Sequence, residues 1–190
     1  MSAGMPDVRE CIGILRKAGC RRRVIVHCCT VKAVADVMLS RIGSADAELV
    51  VAGALLHDLG RAVDHSISHA HVGAMMAADL DLDPRLVEII RRHTGAGLDA
   101  TDVEELGLPP GDYMLRTVEE KIVAHADNLV SDNRVMSHRH SADRLRAKGA
   151  DRGADRIEAL HKELSELCGM DLDTIRDIIG EYPEIPEIEF

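Results

Sequence analysis

Residues 49–60 read LVVAGALLHDLG, and the architecture of the chain can be inferred outward from this segment. Its first eight residues carry no charge and are followed at once by His57 and Asp58. The apolar run falls far short of the roughly 20 residues that span a bilayer. It predicts instead a central buried helix over about residues 46–59, which Gly60 closes. Two ionisable groups at the end of such a helix need partners, because burying them alone is costly.

Helical spacing of apolar residues continues on both sides of this segment. The start signals are specific at two places, where Asp83-Pro84 supplies an N-cap followed by proline and Thr117-x-x-Glu120 forms a capping box. Period-two alternation of β-branched residues is nearly absent, so the sequence predicts an all-α fold. A long loop over residues 94–116 is expected to rim a pocket. The other predicted helices cover about residues 7–18, 22–42, 68–80, 85–93 and 117–130, then a charged helix from a polar break at 138–141 to 167, and 171–179.

Composition limits the classes of function. The chain has 190 residues, of which 46% are hydrophobic, so it can form a real core. Its 23 Lys and Arg residues against 33 Asp and Glu residues give a formal net charge of −10. This balance argues against a nucleic-acid polymer or an anionic membrane as partner, since both attract positive surfaces. Aromatic residues make up 2%, too few for base-stacking platforms.

Cysteine usage indicates a reducing compartment. The five cysteines form no C-x-x-C pair, so neither a disulfide framework nor a thiolate zinc site is expected. The first ten residues are polar and lack the apolar stretch of a secretory leader. We therefore expect a cytoplasmic protein.

Five ionisable residues interrupt apolar helix faces and could share one site. Taken singly, each is best interpreted as a satisfied core residue, since buried polar groups are usually hydrogen-bonded. Taken together, imidazole and carboxylate groups are the ligands of a divalent first-row metal. The spacing is long-range, so the pattern suggests a metal site without specifying it. The residues are His27, His57, Asp58, His93 and Asp127.

The same residues resemble a known family. His27, the run His57-Asp58-Leu59-Gly60-Arg61 and Asp127 resemble the H…HD…D pattern of the HD superfamily of metal-dependent phosphohydrolases, and the HDLGR run is similar to its HDIG-type subgroup. His69 and His93 resemble the two further histidines that this subgroup uses for a second metal. Residues 92–97 and 119–128 resemble an uncharacterised, mostly archaeal HD-domain family. The resemblance covers roughly residues 8–130.

The resemblance implies an HD-type helical bundle over residues 1–135 and a C-terminal helical extension over residues 136–190. It implies one or two divalent ions (Mn, Fe, Ni, Co, Zn or Mg). The implied metal ligands are His27, His57, Asp58, His69, His93 and Asp127.

The implied function is metal-dependent hydrolysis of a phosphate ester or nucleotide by metal-activated hydroxide. His57, Asp58 and Lys121 would be catalytic, and Arg61, Arg92 and Lys121 would bind the oxyanions of a small phosphorylated molecule or nucleotide. The same ligand set is also compatible with a di-iron oxygenase. A non-enzymatic ligand-sensing or scaffolding module is a third hypothesis.

Several histidines and the C-terminus leave alternatives open. His65 or His71 could replace His69 as a ligand, although the glycine four residues after His69 favours it. His125 shares a face with apolar residues and is expected to be structural. The tract 138–140 (HRH) is expected to be a solvated loop. The tail positions Ile185, Ile188 and Phe190 could dock on a partner, and a homodimer through the extension is one such assembly.

Overall fold

The computed structural model describes residues 4–187 of the chain and confirms the predicted all-α fold. Within that range, the regular structure is ten α-helices, two short 3-10 turns and one two-stranded hairpin. The helices are α1 (Val8–Ala18), α2 (Arg22–Leu39), α3 (Ala47–Leu56), α4 (His69–Asp79), α5 (Pro84–Arg92), α6 (Ala100–Glu105), α7 (Val118–Asn128), α8 (His138–Arg146), α9 (Asp151–Cys168) and α10 (Ile175–Ile179). The strands are β1 (Val130–Ser131) and β2 (Arg134–Val135), and the 3-10 turns span Leu59–Ala62 and Leu172–Thr174.

Helix α3 lies at the centre of the core, as its apolar sequence predicts. Helices α1, α2, α5 and α7 all pack against it, and side chains such as Leu55 and Leu56 are fully buried. The helix ends at Leu56, a little earlier than expected, and the chain continues into the 3-10 turn Leu59–Ala62. His57 and Asp58 therefore lie at the junction of two helical segments, where their side chains can face the same space.

The 3-10 turn and α4 approach each other at two glycines. A methyl group on Gly60 would lie 1.9 Å from the carbonyl oxygen of His69 and 2.6 Å from the backbone nitrogen of Gly73. No side chain larger than hydrogen fits at this distance. The glycine of the HDLGR run thus sets how closely α4, which carries His69, packs beside Asp58.

The loop predicted over residues 94–116 contains a short helix, α6. Its capping box is formed by Asp99 and Asp102, with Asp99 accepting from the backbone N–H of Asp102 at 2.9 Å. The hairpin after α7 is a further departure from the predicted helices. Two-residue strands carry no readable alternation, so the pattern could not predict them.

The polar tract at 138–140 is helical, and the expectation of a solvated loop there is wrong. Helix α8 begins at His138, whose backbone N–H donates to Asp173 Oδ1 at 2.8 Å. The side chain of the N-cap residue, Ser137, makes no capping hydrogen bond, so this tertiary contact stabilises the helix start instead. The break between the two charged helices lies instead at residues 147–150, where Gly149 has a φ of 77°.

The C-terminal segment folds back onto α2. Ile185 packs against the core, and Glu187 Oε1 lies 3.0 Å from Lys32 Nζ. Ile188 and Phe190, two of the three predicted docking positions, lie outside the described residues. Across residues 4–187, no helix combines the length and apolarity needed to cross a membrane.

Candidate metal centre

Five segments bring six ionisable side chains to one place beside α3. His27 lies on α2, His57 and Asp58 follow α3, and Asp127 lies near the end of α7. His69 begins α4, and His93 follows the last residue of α5. The structure therefore brings together all six residues that the resemblance implies as metal ligands. Among the six, His57, Asp58, His69 and His93 are buried.

Each of the four histidines is oriented by a backbone carbonyl. The Nδ1 atoms lie at hydrogen-bond distance from the carbonyl oxygens of Asp132 (His27, 2.8 Å), Ala54 (His57, 2.8 Å), Ser66 (His69, 2.7 Å) and Ile90 (His93, 2.8 Å). A carbonyl only accepts, so each Nδ1 carries the hydrogen and donates it. In a neutral imidazole the Nε2 atom then keeps a free lone pair. Such support of the distal nitrogen is typical of histidines that bind metals.

The carboxylate of Asp58 lies between two pairs of these histidines. Its Oδ2 atom is 3.8 Å from His27 Nε2 and 3.7 Å from His57 Nε2. Its Oδ1 atom is 3.2 Å from His69 Nε2 and 3.7 Å from His93 Nε2. One carboxylate in this position can serve two neighbouring ions, one on each oxygen.

Asp127 closes the cluster on the α2 side. Its Oδ1 atom lies 2.9 Å from His27 Nε2 and 3.6 Å from His57 Nε2. Two groups of ligand atoms result, one from His27, His57 and Asp127 and one from His57, Asp58 and His93. Within each group the atoms lie within 4.8 Å of one another, so each group could hold a metal ion.

The protonation pattern fits a cation. His57 Nε2 is buried and has no hydrogen-bond partner among the described residues. Four Nε2 atoms and two carboxylates therefore meet in one place, and a divalent ion that replaced the protons on these nitrogens would be satisfied by such a donor set. Burial opposes ionisation of His57, but the carboxylates of Asp58 and Asp127 outweigh it and raise the pKa of His57 to about 9. Burial and the neighbouring His57 lower the pKa of His93 to about 3.

A pH dependence of metal affinity follows from His57. With a pKa of about 9, the imidazole is protonated at pH 7, and an ion that binds its Nε2 must displace that proton. We expect the affinity for Mn²⁺ or Co²⁺ to rise about tenfold per pH unit between about pH 6 and pH 8, because one proton is released. Calorimetric titration in two buffers of different ionisation enthalpy measures this release. An affinity that does not change over the range would contradict the assignment of His57 as a ligand.

A pocket of about 520 Å³ opens from the cluster to solvent, and four arginines line it. Arg61 donates to Asp58 Oδ1 at 2.8 Å and so holds that carboxylate in place. Arg23 forms a two-point ion pair with Asp132. Arg21 and Arg144 are exposed and form no ion pair with any described residue. The pocket therefore presents unpaired positive charge beside the His/Asp cluster.

Two of the predicted substrate-binding cations lie elsewhere. The Arg92 guanidinium is 2.7 Å from Glu120 Oε1 and also pairs with Glu88, and it does not line the pocket. Lys121 Nζ lies 2.6 Å from Glu163 Oε1, on the side of α7 that faces α9. Both charges are already neutralised by local carboxylates. Arg21, Arg23 and Arg144 were not among the predicted cations, although the run 21–23 (RRR), one helical turn before His27, was a readable signal.

Contacts with neighbouring residues distinguish His69 from the histidines that lie outside the cluster. His69 faces Asp58, whereas His71 Nδ1 lies 3.2 Å from the hydroxyl of Tyr113. His65 is exposed at the rim of the pocket. His125 is fully buried but faces His161 rather than the cluster.

A family model described as the HD domain matches residues 24–132, the range that contains His27, the His57-Asp58 pair and Asp127. The chain belongs to the HD-domain family. HD domains usually bind divalent metals, in agreement with the ligand clusters described above.

Proteins of archaea are among the curated relatives. A tRNA (cytidine(56)-2'-O)-methyltransferase of Picrophilus torridus is 45% identical over 171 residues, which cover 90% of this HD chain and 50% of the relative. The protein of the same name from Thermoplasma volcanium is 42% identical over the same shares. An uncharacterised protein of Methanocaldococcus jannaschii is 43% identical over 128 residues, 65% of this chain and 75% of the relative. This HD chain thus spans about half the length of the first two relatives. No solved structure matches it significantly.

These relatives correct the expected function and partners. The expected phosphohydrolase activity is wrong by this comparison, because the two relatives are named for transfer of a methyl group to a ribose oxygen and not for hydrolysis of a phosphate ester. The oxygenase and ligand-sensing alternatives have no counterpart in these names either. The argument against a nucleic-acid polymer is also overturned, because both names specify tRNA. Its physical error was to use the net charge of −10, which is a sum over the chain, whereas phosphate binding needs only a local positive surface.

Proposed function

We propose that this chain is a metal-binding HD module that binds tRNA in a tRNA-modification system. The observation that carries the proposal is the pocket in which four arginines surround a His/Asp metal cluster on an otherwise acidic chain. The names of the two tRNA methyltransferases support RNA as the polymer. The proposal assigns recognition of tRNA to this chain and does not assign the methyl transfer itself.

The pocket combines two kinds of positive charge that suit a sugar–phosphate backbone. The exposed guanidinium groups of Arg21 and Arg144 can each form charge-assisted hydrogen bonds to a phosphate. A divalent ion held by His27, His57, Asp58 and Asp127 supplies a fixed charge deeper in the pocket. Asn128 and Ser141 also line it and offer neutral hydrogen-bonding groups to ribose hydroxyls, although Ser141 already donates to the Asn128 carbonyl at 2.7 Å.

The ligand set favours a transition metal. Four imidazole nitrogens suit Mn²⁺, Fe²⁺, Co²⁺, Ni²⁺ or Zn²⁺ better than Mg²⁺, which prefers oxygen ligands. The second histidine pair, His69 and His93, faces the other oxygen of Asp58, so the proposal includes a second ion there. Membership of the HDIG-type subgroup is part of the same proposal.

Charge reversal on α8 tests the RNA-binding surface. We expect Arg144→Glu to weaken the binding of unmodified tRNA about tenfold or more at moderate salt and to reduce the salt slope of binding by about one phosphate contact. Arg139→Glu is the matched control, because Arg139 is exposed on the same helix and does not line the pocket. Filter binding or fluorescence anisotropy over a salt series measures both variants.

The outcomes separate specific from general electrostatic binding. Equal losses in Arg144→Glu and Arg139→Glu would show that tRNA is held only by overall charge and would contradict the pocket. Absence of tRNA binding by the wild-type chain, loaded with Mn²⁺ and at low salt, would overturn the proposed function. Addition of a chelator is expected to weaken binding by the wild-type chain, because the ion contributes charge within the pocket.

A further inference from the structure

A second cluster of histidines lies outside the HD motif, where the C-terminal helices pack on α7. It contains His138 at the start of α8, His161 on α9 and Asp173 in the 3-10 turn before α10. One ligand atom from each of the three lies within 4.8 Å of the others. The side chains are 13%, 11% and 25% exposed, respectively, so the group is mostly shielded from water.

The geometry places the nitrogen atoms around one carboxylate. His138 Nδ1 is 3.0 Å from Asp173 Oδ2, and His161 Nδ1 is 4.0 Å from Asp173 Oδ1. Because a carboxylate accepts, His138 Nδ1 carries a hydrogen in the metal-free chain, and an ion that binds this nitrogen must displace it. The two imidazole rings are stacked, with centroids 3.6 Å apart and planes at 16°. The nitrogen-to-oxygen contacts of the cluster are thus 3.0 and 4.0 Å long. These separations match those between ligands that share one ion, since metal–nitrogen and metal–oxygen bonds are about 2.0–2.2 Å long.

His161 has the support that a metal-binding imidazole needs. Its Nε2 atom is 3.1 Å from Asp171 Oδ1, and because a carboxylate accepts, Nε2 carries the hydrogen and Nδ1 keeps a lone pair. This is the carboxylate–histidine arrangement that raises ligand basicity and fixes the tautomer.

His125 provides a nearby further nitrogen. It is fully buried on α7, and its Nε2 atom lies 3.0 Å from His161 Nδ1. Its other nitrogen, Nδ1, has no hydrogen-bond partner in the described part of the chain. The hydrogen bonds among the described residues therefore leave one buried nitrogen beside this cluster without a partner.

We propose that His138, His161 and Asp173 form a second, separate metal site that binds Zn²⁺ or a similar divalent ion, with His125 as the adjacent third nitrogen. The donor set of imidazoles and one carboxylate is that of a zinc site. The three residues come from three elements of the C-terminal region, and His125 comes from the HD domain. An ion here would fasten the extension to the HD domain through α7.

Metal stoichiometry tests the site in the full chain. To weaken the HD cluster, Asp58→Asn serves as the background, and Co²⁺ is the probe because its visible absorption reports nitrogen coordination. We expect the Asp58→Asn chain to bind one Co²⁺ at the second site, and the Asp58→Asn/Asp173→Asn chain to lose it. The matched control is Asp58→Asn/His140→Ala, which removes a histidine two positions from His138 and outside the cluster.

The result is decided by differences between variants. Loss of one Co²⁺ per chain on Asp173→Asn, in both the wild-type and the Asp58→Asn background, with no loss in the His140→Ala control, supports the site. Equal Co²⁺ binding with and without Asp173→Asn would overturn it. If Asp173→Asn disturbs folding, as judged by circular dichroism in chelator, His138→Gln replaces it and the same outcomes apply. The proposal is independent of tRNA binding, so either can fail alone.

Discussion

Replacement of Asp58 by asparagine is expected to lower the affinity of the HD cluster for a divalent ion at least about 100-fold, more than the loss of a supporting group costs. The carboxylate lies within 3.2–3.8 Å of four Nε2 atoms, two on each oxygen. Asparagine has nearly the same shape but no charge, and its amide nitrogen would direct hydrogens at two of the lone pairs. The substitution therefore affects the contacts of Asp58 with both pairs of histidines at once.

Metal analysis after equilibrium with Mn²⁺ or Co²⁺ measures this loss, and circular dichroism verifies that the helices remain. Asp79→Asn is the matched control, because it makes the same substitution at an exposed carboxylate on α4. It is expected to keep the wild-type affinity. An Asp58→Asn chain that binds as much metal as the control would show that Asp58 is not a ligand.

The second large effect is expected at Gly60. Gly60→Ala is expected to lower the free energy of unfolding by about 3 kcal/mol or more, at or above the upper end of ordinary overpacking. The added methyl group would lie 1.9 Å from the carbonyl oxygen of His69, and a backbone atom cannot rotate away as a side chain can. The turn and α4 must separate, which also moves His69 away from Asp58. We therefore expect the chain to bind a divalent ion more weakly at His69 and His93, in addition to being less stable.

Urea unfolding of metal-free protein measures the stability change. Gly13→Ala is the control, because it lies within α1, has no heavy atom within 4 Å of the added methyl group and does not have a positive φ. Alanine in a helix interior is expected to raise stability there by up to about 1 kcal/mol. A Gly60→Ala chain with wild-type stability would show that the turn and α4 adjust without strain.

The side chains of the candidate site could be predicted from sequence because they are ionisable residues in otherwise apolar segments. His27, His57 and Asp127 interrupt apolar helix faces, and such positions require an explanation whatever the fold. The family resemblance then selected His69 over His65 and His71, and the structure places His69 Nε2 3.2 Å from Asp58. The group of residues that meets beside α3 could therefore be predicted from pattern and resemblance together, and its role as a ligand set stays a prediction.

The cations could not be predicted in the same way. Arg92 and Lys121 were selected for charge and for nearness in sequence to predicted ligands, but Glu120 and Glu163 lie close enough to pair with them. Which carboxylate lies near an arginine is a property of tertiary packing, and helical periodicity contains little of it. For the same reason the contact between His138 and Asp173 could not be predicted, because the two residues lie 35 positions apart in the chain.

The hydrogen bond that orients the His27 imidazole has a practical consequence for mutagenesis. Its imidazole donates to the main-chain oxygen of Asp132 at the tip of the hairpin, a residue with a φ of 61°. Alanine scanning removes side chains and leaves that oxygen in place, so it would not detect this support. A glycine at 132 would keep the oxygen and relax the backbone, whereas a proline cannot adopt a positive φ and would displace it. The orientation of His27 thus depends on the backbone conformation at Asp132. Only substitutions that change this conformation can reveal the dependence.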